Sequence, residues 1–364
     1  MYSADIIIIG GGPAGAGAAV TAARSGEKVL LLERERLPRE KLCSGVLSPK
    51  SQVQLRALLG GEDASWPFLL GGADHSWLGR GMSGGMVRHA PLYFASRPAM
   101  DMALLERAAS LGADVRDGQK VRSLDPETGA VTLNSGEILT ARVVVGADGA
   151  RGVSSRTLNG DLPRHAIGLE VRIPDERGII APAAIVDFSM PGGYFWQFPK
   201  WDGQVAIGAG TTDPVLWPHL REMLARYAAH QPLTLPERVP GHPIPCFGVE
   251  TVQRGRVLLA GDAAGLVDPL IMEGIPYAFL SGRLAAEAAL RHLNAGISLG
   301  CYAQDLARDL ISWQEPYRRL SRLRPLIERS HLNETLRLPF LRHALWRYVV
   351  ERTDAMSDEE GAAS

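Results

Sequence analysis

The chain has 364 residues, of which 46% are hydrophobic and 22% charged, and it carries a net charge of −1. That length fits about two domains with real cores, and the balanced charge excludes a general electrostatic attraction to nucleic acid. Three scattered cysteines, Cys43, Cys246 and Cys301, exclude a disulfide framework and a cysteine-based metal centre, so no metal is expected. No stretch reaches the ~18 apolar residues of a membrane span. The apolar run at 6–9 is too short for a secretory leader. The expected location is the cytoplasm.

Residues 5–9 (DIIII) read as a buried parallel strand ended by glycines. Residues 14–25 are small and favour a helix, Gly26 stops it, and residues 29–33 (VLLLE) form a second buried strand. This β-α-β unit opens a doubly wound sheet. Residues 98–111 have helical period. VRSLD, AVTLNS and EILTA read as short strands of an antiparallel insert, and residues 141–148 (ARVVVGAD) return as a buried strand. From 165 to 250 the segments AIGLEVRI, AIVDFSM, GYFWQFP and QVAIGAG alternate, as in an antiparallel sheet with one face covered, and a helix at 215–230 interrupts them. Residues 256–262 form a further buried strand, 275–293 a helix of small residues, 301–353 an Arg-rich helical segment and 354–364 a disordered tail.

The expected fold class is therefore α/β. A Rossmann-type nucleotide domain is assembled from 1–75, 97–165 and 250–300. An antiparallel substrate domain from 76–96 and 166–249 is inserted into it, and a C-terminal helical segment follows.

Gly10, Gly12 and Gly15, with Pro13 and Ala14 between them, form G-x-G-x-x-G between a strand and a helix. The glycines permit a tight turn, a close backbone approach to a pyrophosphate and helix-strand packing, and the helix N-terminus offers free N–H groups. Glu33 ends the second strand, where a carboxylate can accept from a ribose hydroxyl. An acid there disfavours a 2′-phosphate, leaving FAD or NAD rather than NADP. Asp148 and Gly149 end one later strand, and Gly261 and Asp262 end another. Ligands bind at such strand ends, and Asp262 suits a polyol hydroxyl. Gly274 and Ile275 open a helix whose N–H groups suit a flavin edge that gains negative charge on reduction.

Three such segments in this order resemble those of the flavoprotein family that includes aromatic hydroxylases and geranylgeranyl reductases. The resemblance spans roughly residues 1–295 and implies FAD as cofactor. It places Arg97, otherwise a plain surface arginine, against the cofactor, and Lys41, Ser44 and Gly45 in a loop over the pyrophosphate and flavin. Arg34 and Val121 join the implied cofactor set. Tyr194-x-Trp196-x-Phe198-Pro199, then eight residues, then Gly208-x-Gly210 resembles the substrate-cavity signature of the geranylgeranyl reductases. Lys41, Cys43 and Gly45 resemble that group's K-x-C-x-G loop, and Glu273-Gly274-Ile275 continues the match. Two departures stand near the expected flavin face. Ile271 and Met272 replace Thr-Gly, and the second glycine of a Cys-Gly-Gly loop is not reproduced.

The resemblance implies a reductase of isolated C=C bonds in an isoprenoid chain, with Tyr194, Trp196, Phe198, Pro199 and Glu273 at the substrate. The alternate spacing of the three aromatics equally suits the core of a covered sheet. Alkene reduction needs a proton as well as a hydride. Cys43 either donates the proton or positions a water, or it is a small buried residue without chemistry. The competing reading is a flavin monooxygenase acting on an aromatic small molecule or on a tryptophan of a partner peptide. No second G-x-G-x-x-G unit between a strand and a helix is evident, so NAD(P)H would dock without its own domain, or a ferredoxin or quinol would supply electrons. Residues 317–352 carry nine Arg against three Glu, with Phe340 and Trp346 interleaved. That is either a basic surface for anionic lipid, hence a peripheral membrane contact, or an ordinary terminal helix pair.

Overall fold

The computed structural model describes residues 3–60, 65–81, 83–160, 164–175, 184–200, 203–230, 233–311 and 339–347. Strand β1 (Ala4–Ile9) lies between β2 (Val29–Leu32) and β9 (Ile138–Gly146), parallel to both. Its isoleucines are buried on both faces, so only the centre of a covered sheet suits it. Outward, β16 (Val257–Leu259) joins β9 and β6 (Asp114–Arg116) joins β2, both in parallel. The two-residue β15 (Gln253–Arg254) closes one edge antiparallel. Helix α1 (Pro13–Ala23) links β1 to β2 and packs on α6 (Ile275–Ala295). A Cβ at Gly15 would stand 1.8 Å from the Gly10 carbonyl oxygen. Only glycine therefore lets α1 leave the strand this tightly.

EILTA and ARVVVG, expected as separate strands, are one. The first part of β9 pairs antiparallel with β8 (Ala130–Leu133), which pairs in turn with β7 (Val121–Asp125); the rest runs parallel to β1 and β16. The change of environment explains the change of pattern along it, alternating at first and then continuously buried.

The second sheet runs β14 (Gly241–Pro245), β10 (His165–Pro174), β13 (Gln204–Thr211), β12 (Gly193–Pro199), β11 (Ala184–Asp187), β4 (Leu69–Arg80), β5 (Ser83–Ala95) and β3 (Val46–Leu47). All neighbours are antiparallel except β11 and β4. Helix α5 (Leu220–His230) covers one face through a cluster that includes Phe195, Ile207, Leu220 and Leu224. The β4–β5 hairpin begins at Leu69 rather than at 76, and β3 ties the 41–47 loop to the sheet edge. The hairpin is rich in glycine, which weakens any strand signal.

Helix α3 (Arg97–Ser110) stands where its period places it, while α2 (Pro49–Leu59) and α4 (Val153–Asn159) have no counterpart in the periodic reading. The C-terminal segment contributes α7 (Cys301–Leu306), a π-helical turn to Ile311, and α8 (Pro339–Trp346). Most of the basic stretch at 317–352 and the tail at 354–364 lie outside the described residues. Among the described residues no helix is long and apolar enough to cross a membrane.

Candidate active site

A single cavity of about 1370 Å³ runs from the glycine-rich loop to the face of the second sheet turned away from α5. Pockets for one drug-sized ligand span about 300–1,000 Å³, so there is room here for more than one molecule. At the nucleotide end, Gly10, Gly12, Pro13 and Ala14 line it. Helix α1 has no side-chain cap and no acid in its first turn, which leaves its amides for an anion. Helix α6 begins at the same cavity, from Gly274, in the same uncapped way.

Glu33, expected to accept from a ribose, already accepts from the Gly11 amide (2.8 Å) and the Glu35 amide (3.0 Å), and it pairs with Arg39 at 3.2 Å. Burial alone would raise its carboxyl. The Arg39 charge and the two amides overcome that and hold it below the ordinary value. Glu33 thus staples the glycine loop to the turn after β2, and a carboxylate's roughly four acceptor positions leave one for a hydroxyl.

Arg97 is not a surface arginine. It is 4% exposed and forms two 3.0 Å bonds to Asp101, which Arg39 also reaches at 3.2 Å. Burial works against the Arg97 charge, but Asp101 and the Cys43 sulfur more than offset it and raise its pKa. Cys43 lines the cavity, and its sulfur accepts from the Gly45 amide at 3.3 Å. Asp148 accepts from the Ser154 amide at 3.0 Å through one oxygen; its other oxygen is buried without a partner, and burial raises its pKa. An orphaned acceptor beside two uncapped helix ends suits the hydroxyls and phosphates of a dinucleotide. The donor set and cradle therefore fit FAD.

The remaining residues of the expected cofactor set, Arg34, Lys41, Ser44, Gly45, Val121, Gly149, Asp262 and Ile275, also line the cavity. Burial lowers the Lys41 ammonium, against the opposing charge of Asp262. Three expected residues do not reach the cavity. Gly15 and Gly261 are buried where α1 meets its strand and α6, and Pro199 ends β12 beyond the wall. Their parts are in packing.

At the apolar end, Tyr194, Trp196 and Phe198 line the cavity from β12. The alternate residues face α5, where Phe195 stacks on Tyr227 at 4.4 Å and Gln197 donates to the Tyr227 hydroxyl at 3.1 Å. The aromatics are thus cavity wall, while their neighbours are core. The paired Gly-x-Gly has a steric cause. A Cβ on Gly208 would meet the Trp196 ring at 2.3 Å, and one on Gly210 would meet Met272 Sδ at 2.7 Å.

The wall is tied to the loops by groups that the motifs did not indicate. Trp196 Nε1 donates to Glu170 Oε2 at 2.8 Å, and Ser44 Oγ donates to the same oxygen. Lys200 Nζ donates to the Ser44 carbonyl, and Tyr194 OH to the Ile271 carbonyl. The one available signal for Glu170 was an acid inside the mostly apolar run AIGLEVRI.

Glu273, expected at the substrate, lines the cavity, but its carboxylate meets Lys50 Nζ at 2.5 Å. Lys50 is fully buried, as is Asp268, whose pKa burial raises despite the Lys50 charge. Asp268 Oδ1 accepts from the Leu270 and Ile271 amides, at 2.7 and 3.0 Å. In this loop Met272 has φ +55°, the left-handed region that glycine favours. It occupies the position where the resemblance leads one to expect a glycine.

Residues 4–183 match the family model of the pyridine nucleotide-disulphide oxidoreductases. The chain is 31% identical over 327 residues to the menaquinone reductase of Mycobacterium tuberculosis, covering 78% of this chain and 76% of that protein. It is also 31% identical over 327 residues to the digeranylgeranylglycerophospholipid reductase of Methanosarcina acetivorans, covering 80% and 76%. A solved structure from Thermoplasma acidophilum, described as geranylgeranyl bacteriochlorophyll reductase-like, superposes with a TM-score of 0.73 at 22% identity over 96% of this chain and 97% of its own. That last likeness shows the fold. With the two reductases and the cavity geometry, it follows that this chain belongs to the geranylgeranyl reductase family of FAD-dependent oxidoreductases.

Proposed function

We propose that this protein reduces isolated C=C bonds in the isoprenoid chain of a lipid-like substrate, with FAD as its cofactor and NAD(P)H or another external donor as the source of electrons. The observation that carries the reading is the continuity of one cavity from the uncapped start of α1 to the Tyr194–Trp196 wall. The relatives named as menaquinone and digeranylgeranylglycerophospholipid reductases support it.

Bound FAD supplies the hydride. The chain's own residues would do the rest. Gly10, Gly12, Pro13, Ala14, Glu33, Asp148 and Asp262 hold the dinucleotide. Leu78, Leu92, Val186 and Phe198 keep water from the alkene. The ring faces of Tyr194 and Trp196 stabilise positive charge that develops on a substituted alkene carbon. Cys43 holds the proton that the alkene takes, and the Arg97 guanidinium beside it stabilises the sulfur left behind.

The test is anaerobic mixing of the pre-reduced holoenzyme with geranylgeranyl diphosphate and with a prenylated quinone. Flavin reoxidation with a hydrogen pair gained by the prenyl chain, rather than by the quinone ring, is expected. Absence of reoxidation by either chain, or a strict need for O₂, would overturn the reading. Cys43→Ala should keep its flavin yet reoxidise at least about a hundredfold more slowly.

A further inference from the structure

We propose that Trp346, on the C-terminal helix α8, is the end wall of the substrate cavity and sets the longest isoprenoid chain that the site accepts. The proposal rests on the isoprenoid reading above and names what limits it.

At the start of helix α8, Phe340 is 67% exposed. Trp346 by contrast is 4% exposed and reaches the cavity. It packs in a cluster with Leu78, Val87, Leu92, Phe94 and Ala184. A tryptophan buries on the order of 150–250 Å², so this side chain is a main attachment of α8 to the sheet. A terminal helix thereby contributes to a site otherwise built from the two sheets.

The wall is backed by a fixed group. The Trp346 ring stacks on His89, with centroids 4.5 Å apart and planes at 18°. The His89 ring nitrogens are both engaged, by Ser76 Oγ at 2.8 Å and the Ala90 carbonyl at 2.7 Å. An imidazole held at both nitrogens does not swing away to extend the cavity.

The position of the wall along β5 gives the depth. Phe94 pairs with Val46, next to the Cys43 loop, and His89 lies five positions back on the same strand. At about 3.4 Å per residue that is no more than roughly 17 Å, and the irregular register opposite Ala73–His75 shortens it. The chamber between is lined by Leu78, Leu92, Ala184, Val186 and Phe198. These side chains offer no hydrogen bond, so a polar occupant would lose its hydration without replacement, while a linear hydrocarbon gains by burial. An apolar chamber that ends at Trp346 discriminates by length, because each extra buried methylene changes the specificity constant by about 10–200-fold.

The experiment uses the full-length holoenzyme and prenols with increasing numbers of isoprene units. Binding is read from the perturbation of the flavin absorption spectrum and turnover from kcat/KM. Trp346→Ala should move the longest accepted chain upward, raising the long-to-short kcat/KM ratio on the order of tenfold. Ala184→Leu fills the chamber from β11 and should move the limit downward; it also keeps the proposal open to refutation if Trp346→Ala does not fold. Length profiles that stay at the wild-type limit in the folded variants overturn the end wall alone. A wild-type enzyme that neither binds nor reduces any prenol overturns the isoprenoid reading and the end wall together.

Discussion

The Trp196 indole donates to Glu170 Oε2 at 2.8 Å, and Ser44 donates to that same oxygen from the loop that carries Cys43. One carboxylate therefore sets the angle of the aromatic wall and the position of the loop together. Glu170→Leu strands the buried Trp196 donor, at a cost of about 1–3 kcal/mol, and removes the acceptor of the part-buried Ser44 hydroxyl. A lower melting temperature is expected, with weakened flavin retention, while Glu170→Gln keeps an acceptor and melts nearer the wild type. Equal melting of the Leu variant and the wild type would remove Glu170 from this role.

Met272 tests whether backbone strain is held at the site. Its φ of +55° costs a non-glycine residue about 1–2 kcal/mol. Met272→Gly and Met272→Ala both lose the packing against the Ala166, Cys246 and Val267 cluster, but only glycine relieves the backbone. The Gly variant should be more stable than the Ala variant by about 1 kcal/mol in denaturant unfolding, the reverse of the order at an ordinary position. An Ala variant as stable as the Gly variant argues that the backbone there is unstrained.

Lys50, Glu273 and Asp268 form a buried charged group at the start of α6. Removing one partner of a buried pair costs about 3–5 kcal/mol, because the other charge is left without compensation. Lys50→Met should therefore be severely destabilised, and Lys50→Met with Glu273→Gln should recover part of the loss. A double-mutant cycle in thermal unfolding measures this, and strict additivity of the two changes would dismiss the coupling.

His242 gives a pH signature. Burial, and then the charges of Lys41, Arg151 and Arg34, hold its pKa down at about 4. The folded ring stays neutral while an unfolded histidine titrates near ~6.5. Between those values the unfolded chain binds more protons, so stability falls as pH falls through the window from about 6.5 to about 4. One proton contributes a slope of at most about 1.4 kcal/mol per pH unit. His242→Gln should flatten the acid-side decline in melting temperature. Parallel curves for variant and wild type would show that His242 is not its source.

The nucleotide end was largely legible before folding. The strand Ala4–Ile9, the glycines and the helix Pro13–Ala23 are contiguous, so periodicity and local sterics state them directly. Tyr194, Trp196 and Phe198 were legible as one face, but core and cavity wall share the same alternation. Only the covering of the opposite face by α5 distinguishes them. The β4–β5 hairpin was obscured because its glycines pack against neighbouring strands instead of announcing a strand.

What the sequence determined by itself was the first β-α-β unit with its glycine-rich turn, because that depends on residues a few positions apart. The folded molecule alone decided the partners of the charged side chains. Glu170 meets Ser44 across 126 positions and Lys200 meets Ser44 across 156, and Trp346 reaches the cavity from the far end of the chain. A carboxylate or an indole has no assignable role until folding removes water and brings a distant group within hydrogen-bonding or packing distance, and no local pattern records which group that is.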